Sequence, residues 1–252
     1  MDQYPAIRVQ NSSVTQFMDD VIREKRFSLY LNNRFITEQV ASPEQLKELG
    51  AGFVICEGLA AQVKNVEVSG NEILVEATSD RQPFEKEFRS GGGCGIRNIP
   101  HAVNSSLTIT PDDIFRATSE IESNTWKKTG GVHCSVLFSN GNIVSKSCDI
   151  GRHNTVDKLV GYAALNRIDL SECYIACTGR QPSGMISKSA NAGIPIIISR
   201  AASTDQGILT AEQTGITLIC FSRGERFTIY THPERVHGIK QKDLMKQSPT
   251  QK

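Results

Sequence analysis

Hydrophobic and polar positions change their spacing along this chain, and the change divides it. In the first third the apolar residues come in short alternating runs. "FSLYLNNRFIT" reads as two strands joined at Asn32-Asn33, and "VKNVEVSGNEILVEA" as two more turning at Ser69-Gly70-Asn71. Between them, "SPEQLKELGAGFVICEGL" predicts a helix with Ser42 as N-cap, Pro43 in first position and Gln45 completing a capping box. "TPDDIFRATSEIES" predicts another, capped by Thr110, with Pro111 next and acids in the first turn, where the helix dipole favours them.

The remainder has a different rhythm. "VHCSVLFSNGNIVSKSCDIG" is a hairpin about Asn140-Gly141, followed by a helical stripe of Val156, Leu159, Val160 and Ala163 in "NTVDKLVGYAALNRI". Then the strands "CYIACTG", "IPIIIS" and "ITLICFS" alternate with the helices "SGMISKSANAG" and "TDQGILTAEQTG", with Gly193 and Gly215 at the helix ends. Fully apolar strands separated by helices imply an α/β fold, a mostly parallel sheet covered on both faces. "RFTIYTH" adds an antiparallel edge strand, and "KQKDLMKQSPTQK" is a polar tail.

Composition narrows the function classes. In 252 residues, 38% are hydrophobic and 22% charged, and the net charge is +1, so bulk charge favours neither nucleic acid nor an anionic membrane. "MDQYPAIRVQ" lacks the basic and apolar regions of a secretory signal, and no apolar run reaches spanning length; a cytoplasmic location is expected. Seven cysteines without any C-x-x-C favour reduced thiols over zinc or disulfides. Cys56, Cys173, Cys177 and Cys220 lie in apolar runs and are expected to be buried. Cys94 differs: it lies in "RSGGGCGIRN", where glycines uncover the thiol for use as a nucleophile.

Ligands of open α/β sheets bind beyond the carboxyl ends of the parallel strands. Three stretches fall there. "DIGRHNTVDK" offers Gly151, Arg152, His153, Asn154 and Asp157, either as an anion pocket or as a plain helix cap. "TGRQPSGMISK" offers Thr178, Gly179, Arg180 and Ser183 without matching a P-loop. "FSRGERFTIYTH" places Arg223 and Arg226 about Gly224 with Phe221 nearby, either a site for a planar base and phosphates or a polar turn. In "TGGVHCSV", Gly130 and Gly131 lead into His133, though they also suit a simple chain turn. The deaminase signature is incomplete, because His133-Cys134-Ser135 lacks the glutamate and no paired cysteines follow.

"TGGVHCSV", "DIGRHNTVDKLVGY", "TGRQPSGMISKSANAGIPIIIS" and "GITLICFSRGERFTIYTHPERV" resemble, in order and spacing, the blocks of the FdhD family of formate dehydrogenase accessory sulfurtransferases. The resemblance spans about residues 25–236, with "SPEQLKELGAGFVICEGL" a looser match. It implies a three-layer α/β/α sandwich similar to cytidine deaminase but without zinc, its sheet mixed and mostly parallel. A smaller β-rich subdomain over 1–98 ends in the Cys94 loop, the α/β domain covers 99–238, and 239–252 form the tail. It implies a cytoplasmic homodimer with no resident metal. Its substrate would be a molybdenum or tungsten bis(molybdopterin guanine dinucleotide) cofactor, and its partners a cysteine desulfurase and the formate dehydrogenase apoenzyme.

By the same resemblance Cys94 carries persulfide sulfur. The guanine end, or a GDP-like ligand, falls to Phe221, Ser222, Arg223, Gly224, Glu225 and Arg226; position and chemistry, rather than the resemblance, add Arg152 and His153 as lining the pocket. The family pattern C-G-x-C-G is reduced here to one cysteine. Aligned from its first cysteine, Arg97 replaces the second; in the other register Gly91 replaces the first. A chaperone that binds the cofactor without moving sulfur, and a generic nucleotide-binding module, are the competing expectations.

Overall fold

The computed structural model describes residues 1–78, 100 and 102–239; Cys94, Arg97 and the tail beyond Ile239 lie outside the described residues. The chain begins with a hairpin that the pattern reading missed, β1 (Asp2–Gln10) against β2 (Ser13–Val21). Its turn, Asn11-Ser12, takes φ of 47° and 67°, the left-handed geometry that matches strand twist. Pro5, Ile7, Val9, Val14 and Met18 share one face and are exposed. Ile7 and Val9 alternating with Arg8 and Gln10 carried a short strand signal, although neither face is built into a core.

Four more strands form a sheet in the order β4-β3-β6-β5: β3 (Lys25–Leu31), β4 (Arg34–Ala41), β5 (Gln62–Ser69) and β6 (Glu72–Thr78). The β3–β4 turn falls on Asn32-Asn33, both left-handed, and the β5–β6 turn on Gly70-Asn71, both as expected. Helix α1 (Leu46–Cys56) covers this sheet, burying Leu49 and Phe53 among Phe27, Leu29, Ile73 and Val75.

The start of α1 departs from the predicted cap. Its N-cap is Gln45, left-handed and without a side-chain hydrogen bond, and the helix starts at Leu46 rather than Pro43. Ser42 is drawn elsewhere. Its N–H donates to Asp149 Oδ2 at 3.0 Å, and its carbonyl accepts from Lys158 Nζ at 3.2 Å. A buried carboxylate and ammonium outbid a local capping box for that backbone.

The second unit is a three-layer α/β/α sandwich. Helices α2 (Pro111–Glu120) and α3 (Asn124–Thr129) come first, then strands β7 (His133–Ser139) and β8 (Asn142–Asp149). There follow α4 (Arg152–Leu165), β9 (Cys173–Cys177), α5 (Ser183–Asn191), β10 (Ile196–Ser199), α6 (Asp205–Thr214), β11 (Thr217–Arg223) and β12 (Arg226–Thr231). The strand order is β12-β11-β10-β9-β7-β8. The sheet is mixed: β9, β10 and β11 run parallel, while β7, β8 and β12 join antiparallel. Side chains of α4, α5 and α6 meet one face around Leu159, Ile175, Ile197 and Leu218. On the other, Ile114 and Ala117 of α2 meet Phe138, Tyr174 and Ile198. Thr110 caps α2 as predicted, and Asp113 completes a capping box with it.

The two units meet where α1 crosses α4 with almost no space between backbones. A Cβ on Gly52 would lie 1.7 Å from Asp157 O, and one on Gly161 would lie 1.8 Å from Glu48 O. Around this crossing, Lys188 of α5 reaches Glu57 at 2.6 Å and Asp157 at 2.9 Å, all three side chains almost fully buried. Burial, with Glu57 alongside, raises the Asp157 carboxyl above its usual range, although Lys188 opposes this; the two carboxylates outweigh desolvation and raise Lys188. Asp157, read from sequence as a companion of Arg152 and His153, is thus committed to the helix interface. Gly52→Ala should lower stability by about 3 kcal/mol, since overpacking at a backbone contact cannot be relieved by a rotamer change. Urea denaturation monitored by Trp fluorescence would register this as a lower midpoint with unchanged slope.

Candidate functional site

The parallel strands end on the same edge of the sheet, and the antiparallel β7 begins there. That edge gathers His133 from β7, Ile150 and Gly151 after β8, Thr178 and Gly179 after β9, Arg200 and Ala201 after β10, and Arg223 at the end of β11. With Ile121, Glu122, Trp126, Gly130, Gly131 and Val132, many of these enclose a cavity of about 460 Å³. This is a small-ligand volume, enough for one end of a dinucleotide cofactor.

Each wall has a local cause. Gly130 caps α3 with φ of 62°, turning the chain into β7 so that His133 opens onto the cavity. Thr178 is fixed by a ladder to β7: its N–H donates to Cys134 O at 3.0 Å, and its hydroxyl accepts from Cys134 N at 3.0 Å. His133 Nδ1 lies 3.3 Å from the same hydroxyl. Burial, then the nearby Arg152 guanidinium, lowers the His133 pKa from its ordinary value, so the ring is neutral near pH 7. Arg200 pairs with Glu122 at 3.0 Å, and its carbonyl accepts from Arg223 Nε at 3.0 Å. Two guanidinium groups, a half-exposed indole and a neutral imidazole therefore share one cavity. Such a set suits a planar ring carrying phosphate.

The stretch Phe221 to Arg226 divides at a bulge. The register of β11 against β12 shifts between Cys220 and Arg223, and Phe221 takes a left-handed φ of 52°. Phe221 packs toward the core face beneath α5 and α6, whereas Ser222 is fully buried with its hydroxyl 2.5 Å from Thr118 Oγ1. Gly224 and Glu225 form the exposed hairpin tip, with Arg226 opposite Arg223. Of this stretch Arg223 alone lines the cavity. The bulge is what re-aims it, a recurring use of bulges beside sites.

Arg152 and His153 are in the first turn of α4 rather than in a loop before it, and neither lines the cavity. Arg152 packs over Gly179, where any Cβ would meet its side chain at 2.9 Å. His153 turns toward Gly184 and Lys188. Burial first, then the charges of Lys188 and Arg152, lower its pKa to about 3. Among the described residues no cluster of His, Cys, Asp and Glu could hold a metal ion. Among the same residues no helix is long and apolar enough to cross a membrane.

The blocks that build this edge also connect the chain to known proteins. The model of the FdhD/NarQ family matches residues 22–237. The chain belongs to the FdhD/NarQ family. The sulfur carrier protein FdhD of Methanothermobacter thermautotrophicus is 34% identical over 228 residues, covering 86% of this chain and 92% of the relative. That of Wolinella succinogenes is 36% identical over 237 residues, covering 86% and 82%. A solved structure from Desulfotalea psychrophila, described as a formate dehydrogenase accessory protein, superposes with a TM-score of 0.79 at 27% identity. It covers 93% of this chain and 98% of its own.

Within this FdhD/NarQ chain, sequence reasoning found Thr178, His133 and Arg223 but missed Glu122, Trp126 and Arg200. Arg200 was findable, since it follows the apolar strand "IIIS" just as Thr178 follows "CYIAC". Glu122 and Trp126 carried no such signal, because Glu122 precedes and Trp126 lies within the six-residue helix α3, away from any strand end. Proton NMR should show the His153 ring neutral down to about pH 4, where an unshifted histidine, pKa about 6.5, is charged. Its folded pKa lies below its unfolded one, so the unfolded chain takes up the proton first. The ring's contribution to stability is intact above pH 6.5 and lost as pH falls toward 3, and His153→Gln should flatten that acid limb.

Proposed function

We propose that this protein is a sulfur carrier in formate dehydrogenase maturation, with Cys94 taking sulfur and the strand-end cavity holding the guanine end of the receiving cofactor. The observation that carries the reading is the convergence of Arg200, Arg223, His133 and Trp126 on one cavity of nucleotide scale, in a chain whose relatives bear the name sulfur carrier. In the loading step the Cys94 thiolate attacks the outer sulfur of a persulfide on a cysteine desulfurase. The new S–S bond forms on Cys94, and the desulfurase leaves as its thiolate. The outer sulfur is then passed to the reduced metal of a bis(molybdopterin guanine dinucleotide), a substrate of the protein; the metal supplies the two electrons that make it sulfide, and Cys94 is left as its thiolate.

The cavity's part is recognition. Arg223 and Arg200 offer planar, permanently charged donors for phosphate oxygens, and Trp126 offers a stacking face for the base. Neutral His133 offers a hydrogen bond without adding charge. Glu122 holds Arg200 at 3.0 Å, and a phosphate would compete for that guanidinium.

Incubation with a cysteine desulfurase and cysteine should add one sulfur atom to the Cys94 peptide by mass spectrometry, and Cys94→Ala should take up none there. Equal loading of the Ala variant would overturn the carrier assignment; a protein that binds cofactor but never gains sulfur would be a chaperone. Arg223→Ala should weaken GDP binding roughly ten- to a hundredfold in calorimetry, as expected for losing one charge-assisted contact of about 1.5–3 kcal/mol. Unchanged affinity would place the guanine end elsewhere.

A further inference from the structure

Two cysteines that the sequence treats as unrelated stand opposite one another in the sheet. Cys134 of β7 pairs in register with Cys148 of β8, and their sulfurs are 2.9 Å apart. The backbone N–H and C=O of Cys134 are both engaged with Thr178, on the β9 side. They therefore point away from β8, which makes Cys134–Cys148 a non-hydrogen-bonded antiparallel pair. In such pairs the Cα atoms approach to about 4.5 Å, inside the range of roughly 4.4–6.8 Å that a disulfide spans. Sulfur contact is already made, so closing the bond needs no rearrangement of strands.

The surroundings distinguish the two thiols. Cys134 is 1% exposed, and its sulfur is 2.9 Å from the Ser123 hydroxyl that caps α3. Cys148 is half-buried and open to a reactant. The hydrogen bond between the thiols pushes Cys148 down and Cys134 up, with Ser123 and Lys146 also favouring the Cys148 thiolate. Cys148 is thus the accessible nucleophile, and Cys134 the protonated thiol held behind it. Every other described cysteine is buried without a sulfur this close or lies apart from the cavity: Cys56, Cys173, Cys177 and Cys220 sit in the core beneath α4, α5 and α6. The pair is one register step from His133 on the cavity wall, since His133 is opposite Asp149.

We propose that Cys134 and Cys148 form a second sulfur-handling centre, a dithiol that reduces the outer sulfur of a persulfide to sulfide by closing into a cross-strand disulfide. The choice of persulfide as reactant rests on the reading of the chain as a sulfur carrier. Cys148 attacks the outer sulfur of the donor, gaining an S–SH group and releasing the donor thiolate. Cys134 then gives up its proton and attacks the Cys148 Sγ. The Cys134–Cys148 bond forms, the outer S–S bond breaks, and the sulfur leaves as HS⁻. Two electrons from the dithiol reduce one sulfane sulfur, so each reduced chain releases one sulfide and stops until a thiol reductant restores it.

The test uses the full-length Cys94→Ser protein, reduced and freed of oxygen, with glutathione persulfide as probe. Because Cys94 is gone, failure here is distinct from failure of Cys94 loading. About one equivalent of sulfide per chain is expected, together with a disulfide-linked peptide pair containing Cys134 and Cys148. Adding Cys148→Ser should abolish both. Adding Cys134→Ser should leave the extra sulfur on Cys148 with no linked pair. Wild-type protein, which needs no folding control, should give the same linked peptides. Complete alkylation of Cys134 and Cys148 after the reaction overturns the proposal, as does a disulfide that forms with hydrogen peroxide but not with the persulfide.

Discussion

The carboxylate of Asp149 holds this molecule together at the point where its chemistry is assembled. It is fully buried and saturated. One oxygen accepts from Gly151 N–H at 2.9 Å and the Asn154 amide at 2.8 Å; the other accepts from Ser42 N–H at 3.0 Å and Lys158 Nζ at 2.6 Å. Asn154 also donates to Val40 O at 2.9 Å. One side chain thus ties the end of β8, the start of α4 and the chain leaving β4. A buried pair of this kind is weak evidence for net stability, because desolvation offsets much of the attraction, yet losing either partner strands a charge in the interior. What it secures is geometry: the angle at which α4 leaves the sheet edge, and with it the placement of Arg152 over Gly179.

The glycine crossing of α1 and α4 extends that constraint. Ion pairs fix the ends, and Gly52 and Gly161 bring the backbones into contact between them, so the four-stranded sheet is carried rigidly on the sandwich. The functional edge is then free to be built from short segments at strand ends. Its cavity cations come from two separate segments: Arg200 after β10 and Arg223 from the bulge in β11. No single motif contains them. Only parallel strands in register put them on one rim, the usual reason ligands are found at that edge.

The described cysteines fall into two contrasting environments. The core cysteines are held in the thiol form by burial, with Cys177 pushed up to about 12 and Cys173 to about 11. Cys134 and Cys148 escape that fate because an antiparallel register lets one thiol stabilise the anion of the other. The same element therefore places His133 on the cavity wall and Cys134 against Cys148, on alternate faces of β7.

Local signals were legible wherever the cause was local. Asn32-Asn33 and Asn140-Gly141 turned as their chemistry requires, Thr110 and Asp113 capped α2, and uninterrupted apolar runs became the central strands. The family blocks made the sandwich and its strand-end site recognisable. Legibility ended where a distant group set the outcome. Ser42 had the sequence of a cap, but Asp149 and Lys158, more than a hundred residues away, took its backbone. The β1–β2 hairpin has no core on either face, and its alternation is confined to a few positions about Ile7 and Val9. Arg200 with Glu122, and Cys134 with Cys148, became pairs only through register and crossover connections. Sequence by itself determines turns, caps and which residues prefer burial, because those energies act within a few positions; tertiary structure alone decided which charges and thiols meet, because that depends on strand order.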